Sequence, residues 1–196
     1  MSNQQPPTPS EIPAALAGKS VVLVGLMGAG KTCIGKRLAR KLGMEFVDAD
    51  AEIEAAADRT VSEIFTELGE QAFRDGERRV IGRLLSEKPR VIATGGGAFM
   101  DADTRANTRQ HGISVWLKAD LEVLLQRVSR RNNRPLLEGG DKRRKLLNLM
   151  TQRYPTYSEA DVTVNTGDES PDSTVQKVYD ALSGFPPVTN TGAGAK

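Results

Sequence analysis

Residues 20–32 of the chain read SVVLVGLMGAGKT, and this stretch determines the fold. Its first half, Ser20 to Val24, is a continuous run rich in valine, which is typical of a strand buried on both faces of a parallel sheet. The glycine-rich second half leads into a segment with Ile34, Leu38 and Leu42 at helical spacing. We therefore predict a strand, a tight glycine-rich loop and a helix in direct succession.

The loop at 25–32 matches the nucleotide-binding pattern G-x-x-x-x-G-K-[ST], and it lies between a strand and a helix as that pattern requires. Glycines permit a tight cradle in which backbone N–H groups and the positive end of the helix dipole face phosphate oxygens. The lysine can reach the β- and γ-phosphates of ATP, and the threonine hydroxyl can ligate Mg²⁺. The residues of this P-loop and its helix that we predict to contact the nucleotide are Gly28, Ala29, Gly30, Lys31, Thr32 and Cys33.

Short apolar runs alternate with helical patterns along the rest of the chain. Strand patterns at 45–48, 91–93, 113–117 and 162–164 follow the first strand. Helical patterns lie between them, including those at 60–68, 70–85 and 141–153. This alternation predicts an α/β fold, a three-layer sandwich with a five-stranded parallel sheet and helices on both faces. Ligands of such a sheet bind beyond the carboxyl ends of the strands, where every motif described here lies.

The chain is predicted to form a single P-loop domain at residues 18–184. The segments at 1–17 and 185–196 are rich in polar residues, proline and glycine, and we expect them to be disordered tails, because they cannot bury enough apolar surface to offset the entropy of ordering. Proline and glycine also interrupt two helical patterns at 132–141. We predict a mobile lid there, which would exclude water from the reaction when it closes.

Bulk composition argues against several classes of protein. The chain has 196 residues and a net charge of +2, so neither nucleic acid nor an anionic membrane is indicated as a partner. It contains no apolar stretch of transmembrane length and no signal-peptide core, and its single cysteine, Cys33, excludes an internal disulfide. We expect a cytoplasmic monomer in which Cys33 packs just inside the first helix.

Asp48 and Asp50 lie two residues apart at the end of the second predicted strand. In extended backbone such residues face the same side, so two carboxylates would enter the cleft above the sheet. One could hold Mg²⁺ through water, and the other could accept the proton of a substrate hydroxyl. Asp50 also precedes a helical stretch, and an N-cap role for it is an open alternative.

The third predicted strand ends at Thr94, which three glycines follow: Gly95, Gly96 and Gly97. A glycine triplet exposes backbone N–H groups and leaves space for a ligand to approach. A flexible turn is the simpler interpretation, but a functional loop is expected directly after a buried strand of a parallel sheet.

The chain resembles the shikimate kinase family over about residues 19–183. The P-loop is shared by many families, whereas the glycine triplet together with the arginine-containing segments is far more discriminating. The segments that carry the resemblance are GLMGAGKT at 25–32, VDAD at 47–50, GEQAFR at 69–74, TGGG at 94–97, RPLL at 134–137 and RYPTY at 153–157.

The resemblance implies Mg²⁺-dependent transfer of the ATP γ-phosphoryl group to the 3-hydroxyl of shikimate, and a role for each matching residue. The residues implied to be catalytic are Lys31, Asp50 and Arg134 from the lid. Those implied to bind shikimate are Asp50, Arg74, Glu77, Gly95, Gly96, Gly97 and Arg153, with Phe65 and Phe73 along the ring. Those implied at the metal are Thr32 and Asp48. At the nucleotide, Arg134 is expected near the phosphates, and Arg127 and Glu169 near the adenine.

Elementary chemistry agrees with these roles, because guanidinium binds a carboxylate in a planar, bidentate manner that lysine cannot copy. Arg74 and Arg153 could otherwise be ordinary solvated helix residues. Two rival functions are another small-molecule kinase, such as a gluconate kinase, and a non-catalytic nucleotide-binding module. The glycine triplet and the arginine pair argue against the first, and the complete catalytic set argues against the second.

Overall fold

The computed structural model describes residues 13–129 and 141–186. Within them, five strands form one sheet: β1 (Ser20–Val24), β2 (Glu45–Asp48), β3 (Arg90–Ala93), β4 (Gly112–Ala119) and β5 (Val162–Thr166). Every neighbouring pair is parallel, and the strand order is β2-β3-β1-β4-β5. The α/β fold with a five-stranded parallel sheet is therefore confirmed.

Seven α-helices of the described residues connect and cover the strands: α1 (Lys31–Leu42), α2 (Ala49–Ala57), α3 (Val61–Ser86), α4 (Ala102–His111), α5 (Leu121–Ser129), α6 (Lys142–Tyr157) and α7 (Pro171–Ser183). Helices α1 and α7 pack together on one face of the sheet, and α3 and α4 pack together on the other. All residues of β1 and β3 are buried, as expected for strands covered on both faces. None of the described helices has the length and apolar character needed to cross a membrane.

Helix α3 contains a sharp break at Gly69, whose φ of 84° and ψ of 169° are not helical. The break matches the sequence pattern, which predicts separate helices at 60–68 and 70–85. Thr60 and Glu63 form a capping box at the start of the first half, which satisfies two backbone N–H groups that a helix leaves unpaired. The break separates the part of α3 that carries Phe65 from the part that carries Arg74 and Glu77.

Two predicted boundaries need correction. The domain starts before residue 18, because Ala14–Leu16 forms a 3₁₀ helix in which Ala15 and Leu16 are each only 3% exposed. Helix α6 continues beyond the predicted end at Arg153 to Tyr157, although Pro155 lies within it. The final turn closes because the Ser158 N–H donates to the carbonyl of Tyr154 at 2.9 Å.

Candidate active site

A cleft of about 870 Å³ lies beyond the carboxyl ends of the strands. The predicted nucleotide and metal residues that line it are Gly28, Ala29, Gly30, Lys31, Thr32, Cys33, Asp48, Arg127 and Glu169. The predicted acceptor residues that line it are Asp50, Phe65, Phe73, Arg74, Glu77, Gly95, Gly96, Gly97 and Arg153. Arg134, and all of the predicted lid except Asp141, lie outside the described residues.

The P-loop (residues 25–32) has a backbone that needs glycine at several positions. Gly25, Gly28 and Gly30 have φ values of 142°, 84° and 98°, which other residues rarely adopt. Gly30 is also the N-cap of α1, so the N-terminus of that helix opens into the cleft. The Nζ atom of Lys31 donates to the carbonyls of Gly25 at 2.7 Å and Leu26 at 3.1 Å. The lysine ammonium is therefore held against the loop that a phosphate group would occupy.

Thr32 and Asp48 bring two oxygen atoms together at the edge of the P-loop, where the Thr32 hydroxyl donates to Oδ2 of Asp48 at 2.9 Å. A hydroxyl and a carboxylate are the hard oxygen donors that Mg²⁺ prefers. Across residues 13–129 and 141–186, no cluster of three or more His, Cys, Asp or Glu side chains could hold a metal ion.

The structure corrects the backbone context of the two aspartates. Strand β2 ends at Asp48, which is the N-cap of α2 and accepts a hydrogen bond from the Asp50 N–H at 3.2 Å. Asp50 lies in the first turn of α2, so the prediction that both residues share an extended strand was wrong. The capping role belongs to Asp48, not to Asp50. Both side chains nevertheless line the cleft.

Asp50 and Glu77 place two acidic oxygens beside Gly95. A Cβ at Gly95 would lie 2.6 Å from Oε1 of Glu77 and 2.8 Å from Oδ1 of Asp50, so a side chain at this position would displace the two carboxylates. Burial raises the pKa of Glu77 above its usual range; the nearby charge of Arg74 opposes this effect and that of Asp50 adds to it. Oε1 of Glu77 is buried without a hydrogen-bond partner among the described residues. This part of the cleft therefore suits a ligand that carries hydroxyl donors.

Arg74 is fixed between the acidic and the glycine-rich walls of the cleft. Its Nη1 donates to Oε2 of Glu77 at 2.7 Å, and its Nη2 donates to Oε1 of Glu70 at 3.2 Å. Its guanidinium lies 5.1 Å from the ring centroid of Phe73. A Cβ on Gly97 would come within 2.5 Å of Nη1, so the guanidinium packs directly on that glycine.

Arg153 reaches the same glycine loop (residues 94–97) from α6. Its Nη1 donates to the carbonyl of Gly96 at 2.9 Å, and the hydroxyl of Tyr157 donates to the same oxygen. The two guanidiniums thus contact adjacent glycines on one side of the cleft. Tyr157 lies in the RYPTY segment, but sequence reasoning missed its contact because donor and acceptor are 61 residues apart.

Arg127 joins the P-loop to the loop that follows β5. Its guanidinium donates to the carbonyl of Gly28 at 3.3 Å and to that of Gly167. Glu169 stabilises this second loop by accepting from the Gly167 N–H and from Nζ of Lys177, both at 2.9 Å. The hydrogen bond from Lys177 holds the pKa of the Glu169 carboxyl below its usual range. Much of the Glu169 carboxylate is therefore engaged within the protein.

A phosphate cradle, an oxygen pair suited to Mg²⁺ and a polar acceptor pocket share one cleft, and this combination defines a P-loop kinase of small molecules. The family model for shikimate kinase matches residues 27–183. The chain therefore belongs to the shikimate kinase family.

Individual relatives support the same assignment. The chain is 58% identical over 169 residues to a shikimate kinase of Caulobacter vibrioides (strain NA1000 / CB15N), an alignment that covers 86% of this chain and 84% of that protein. It is 55% identical over 165 residues to a shikimate kinase of Paramagnetospirillum magneticum, covering 84% and 85% respectively. Among solved structures, the shikimate kinase from Acinetobacter baumannii in complex with shikimate superimposes with a TM-score of 0.80 at 42% identity, covering 84% of this chain and 93% of that one.

Proposed function

We propose that the cleft transfers the γ-phosphoryl group of ATP to the 3-hydroxyl of shikimate, giving shikimate 3-phosphate and ADP. One observation carries this proposal: Arg74 and Arg153 contact adjacent glycines in the same cleft as Lys31. A pair of guanidiniums is the arrangement expected for a small substrate that carries one carboxylate. The relatives named shikimate kinase support the choice of this substrate over gluconate.

On the acceptor side, Arg74 and Arg153 bind the carboxylate of shikimate, and the ring hydroxyls face Asp50 and the glycine loop. Phe65 and Phe73, whose ring centroids are 4.7 Å apart, provide an apolar surface for the ring. Binding through both ends of the substrate fixes the orientation of the reacting hydroxyl. Such positioning is a large part of what an enzyme contributes to phosphoryl transfer.

On the donor side, the P-loop amides and Lys31 bind the β- and γ-phosphates and stabilise the negative charge of the transition state. Arg134 is assigned to the same task by the RPLL segment. Thr32 and Asp48 would hold Mg²⁺, which, when bound, supplies further charge neutralisation at the phosphates. Arg127 and the loop at 166–169 are assigned to the adenine.

In the transfer step, the 3-hydroxyl oxygen of shikimate forms a bond to the γ-phosphorus while the bond from that phosphorus to the bridging oxygen of ADP breaks. Asp50 orients the hydroxyl and receives its proton. Glu77 holds Arg74 and adds a second acidic oxygen beside Gly95. We further propose that the enzyme acts as a monomer.

A coupled assay that detects ADP tests the proposal, with Mg-ATP and, in turn, shikimate, gluconate and nucleoside monophosphates as acceptors. We expect ADP formation with shikimate at rates far above the background with water. Turnover with gluconate or a nucleotide but not with shikimate would show that the substrate is wrong. Tight ATP binding without transfer to any acceptor would favour a non-catalytic nucleotide-binding module.

A further inference from the structure

The backbone carbonyl of Gly96 accepts two hydrogen bonds from α6, one from Nη1 of Arg153 at 2.9 Å and one from the hydroxyl of Tyr157. The two donors are four residues apart, so they project from the same face of the helix. A carbonyl oxygen has two lone pairs and can satisfy both donors at once. Arg153 and Tyr157 therefore share one acceptor in the glycine loop.

The two donors differ in how firmly they are held. Tyr157 is completely buried, and its ring centroid lies 5.8 Å from that of Trp116 and 6.1 Å from that of Tyr154. Burial raises the pKa of Tyr157 to about 12, so its hydroxyl keeps its proton under ordinary assay conditions. Arg153 is partly buried and lines the cleft. The tyrosine is thus the fixed donor of the pair.

Gly96 lies where the acceptor pocket meets the phosphate cradle. A Cβ on this residue would be 3.3 Å from Nη1 of Arg153, 3.7 Å from the carbonyl oxygen of Gly25 and 3.8 Å from the backbone nitrogen of Met27. A small movement of Gly96 would therefore change the support of Arg153. A displacement of about 1 Å in a group that positions the substrate can reduce the reaction rate about 10²-fold.

We infer that Tyr157 is a positioning residue for the substrate carboxylate, because it holds the Gly96 carbonyl on which Arg153 rests. The inference depends on the proposed function, in which Arg153 binds that carboxylate. Loss of the tyrosine hydroxyl leaves the guanidinium charge in place but removes the second donor that fixes its support. The loss should weaken the binding of shikimate and leave the binding of ATP unchanged.

The substitution Tyr157→Phe tests this inference, since it keeps the aromatic packing and removes only the hydroxyl. We expect the KM for shikimate to rise about fivefold, as for the loss of one buried hydrogen bond, with the KM for ATP unchanged. Tyr154→Phe is a matched control, because its hydroxyl belongs to the same aromatic cluster but donates to the carbonyl of Ala119 at 2.6 Å. It should lower Tm to a similar extent without raising the KM for shikimate.

A double-mutant cycle separates positioning from simple stabilisation. In an Arg153→Ala background, Tyr157→Phe should add little to the KM for shikimate, because its effect acts through the arginine. Independent, multiplicative effects would overturn the inference, as would a Tyr157→Phe enzyme that loses Tm but keeps its KM for shikimate. Wild-type protein that does not phosphorylate shikimate would instead overturn the proposed function on which the inference rests.

A measurement on the wild-type sequence tests the inference even if the Tyr157→Phe variant does not fold. The chain has three tyrosines, so labelling with 3-fluorotyrosine gives a short ¹⁹F spectrum that single Tyr→Phe variants can assign. The resonance of Tyr157 should shift when shikimate is added without ATP, because carboxylate binding to Arg153 changes the shared acceptor. A Tyr157 resonance unchanged at saturating shikimate would contradict the inference.

Discussion

Gly97 lies directly beneath the guanidinium of Arg74: a Cβ on Gly97 would be 2.5 Å from Nη1 and 2.6 Å from Cζ. Glu77 holds the same guanidinium through a 2.7 Å hydrogen bond. The backbone at Gly97 has an ordinary φ of −100°, so this position needs glycine for space and not for conformation. Arg74 can occupy its place only because residue 97 has no side chain.

Gly97→Ala should therefore displace Arg74 with little backbone strain. We expect the KM for shikimate to rise about tenfold or more, as for the loss of a charged hydrogen bond, while the KM for ATP stays constant. Gly76→Ala is a suitable control, because a Cβ at that position of α3 meets nothing within 4 Å. A Gly97→Ala enzyme with wild-type affinity for shikimate would show that Arg74 does not bind the substrate from this position.

The β-strands and the P-loop could be predicted from sequence because their patterns are local. A run of buried valines determines β1, and the required φ angles of Gly25, Gly28 and Gly30 determine the loop that follows. The prediction that Asp50 lies in an extended strand with Asp48 was wrong. Residue spacing could not show that the chain turns into a helix immediately after Asp48, which caps that helix itself.

The family resemblance implied that distant segments share one site, but residue spacing could not show the individual contacts between them. The residues that meet at Gly95 come from α2 and α3, and the shared acceptor of Arg153 and Tyr157 lies in the glycine loop after β3. The end of α6 was misplaced because proline normally disfavours a helix interior, whereas here the helix continues past Pro155 to Tyr157. Only the packed structure shows these relationships.

Lys31→Ala should reduce kcat by about 10²–10³-fold, because the ammonium held at the P-loop no longer stabilises the charge of the transition state. Lys41→Ala provides a control near the other end of α1, where the ammonium lies 4.7 Å from the ring centroid of Tyr179. Steady-state rates at saturating Mg-ATP and shikimate make the comparison. A Lys31→Ala enzyme as fast as the wild type would remove this lysine from the mechanism.

Asp48→Asn separates the proposed metal role of this residue from its role as a helix cap. Asparagine caps helices about as well as aspartate, so α2 should keep its stability while the metal site loses a charge. We expect the Mg²⁺ concentration for half-maximal activity to rise about 10–100-fold, with Tm nearly unchanged.

Asp58→Asn makes the same exchange at the opposite end of α2, where the residue has a φ of 49° that asparagine tolerates. Its Mg²⁺ dependence should match that of the wild type. Identical Mg²⁺ titrations for the wild type and the Asp48→Asn variant would argue against a metal role for Asp48.

The central claim is that the P-loop, which binds the phosphates, and the pair of Arg74 and Arg153, which binds the substrate carboxylate, lie in one cleft. The most direct test is to measure the KM for shikimate and the KM for ATP side by side in the wild type and in Arg153→Ala. We predict that the KM for shikimate rises at least about tenfold, as for a lost charged hydrogen bond, while the KM for ATP does not change. Equal increases for both substrates, or none for either, would contradict the claim.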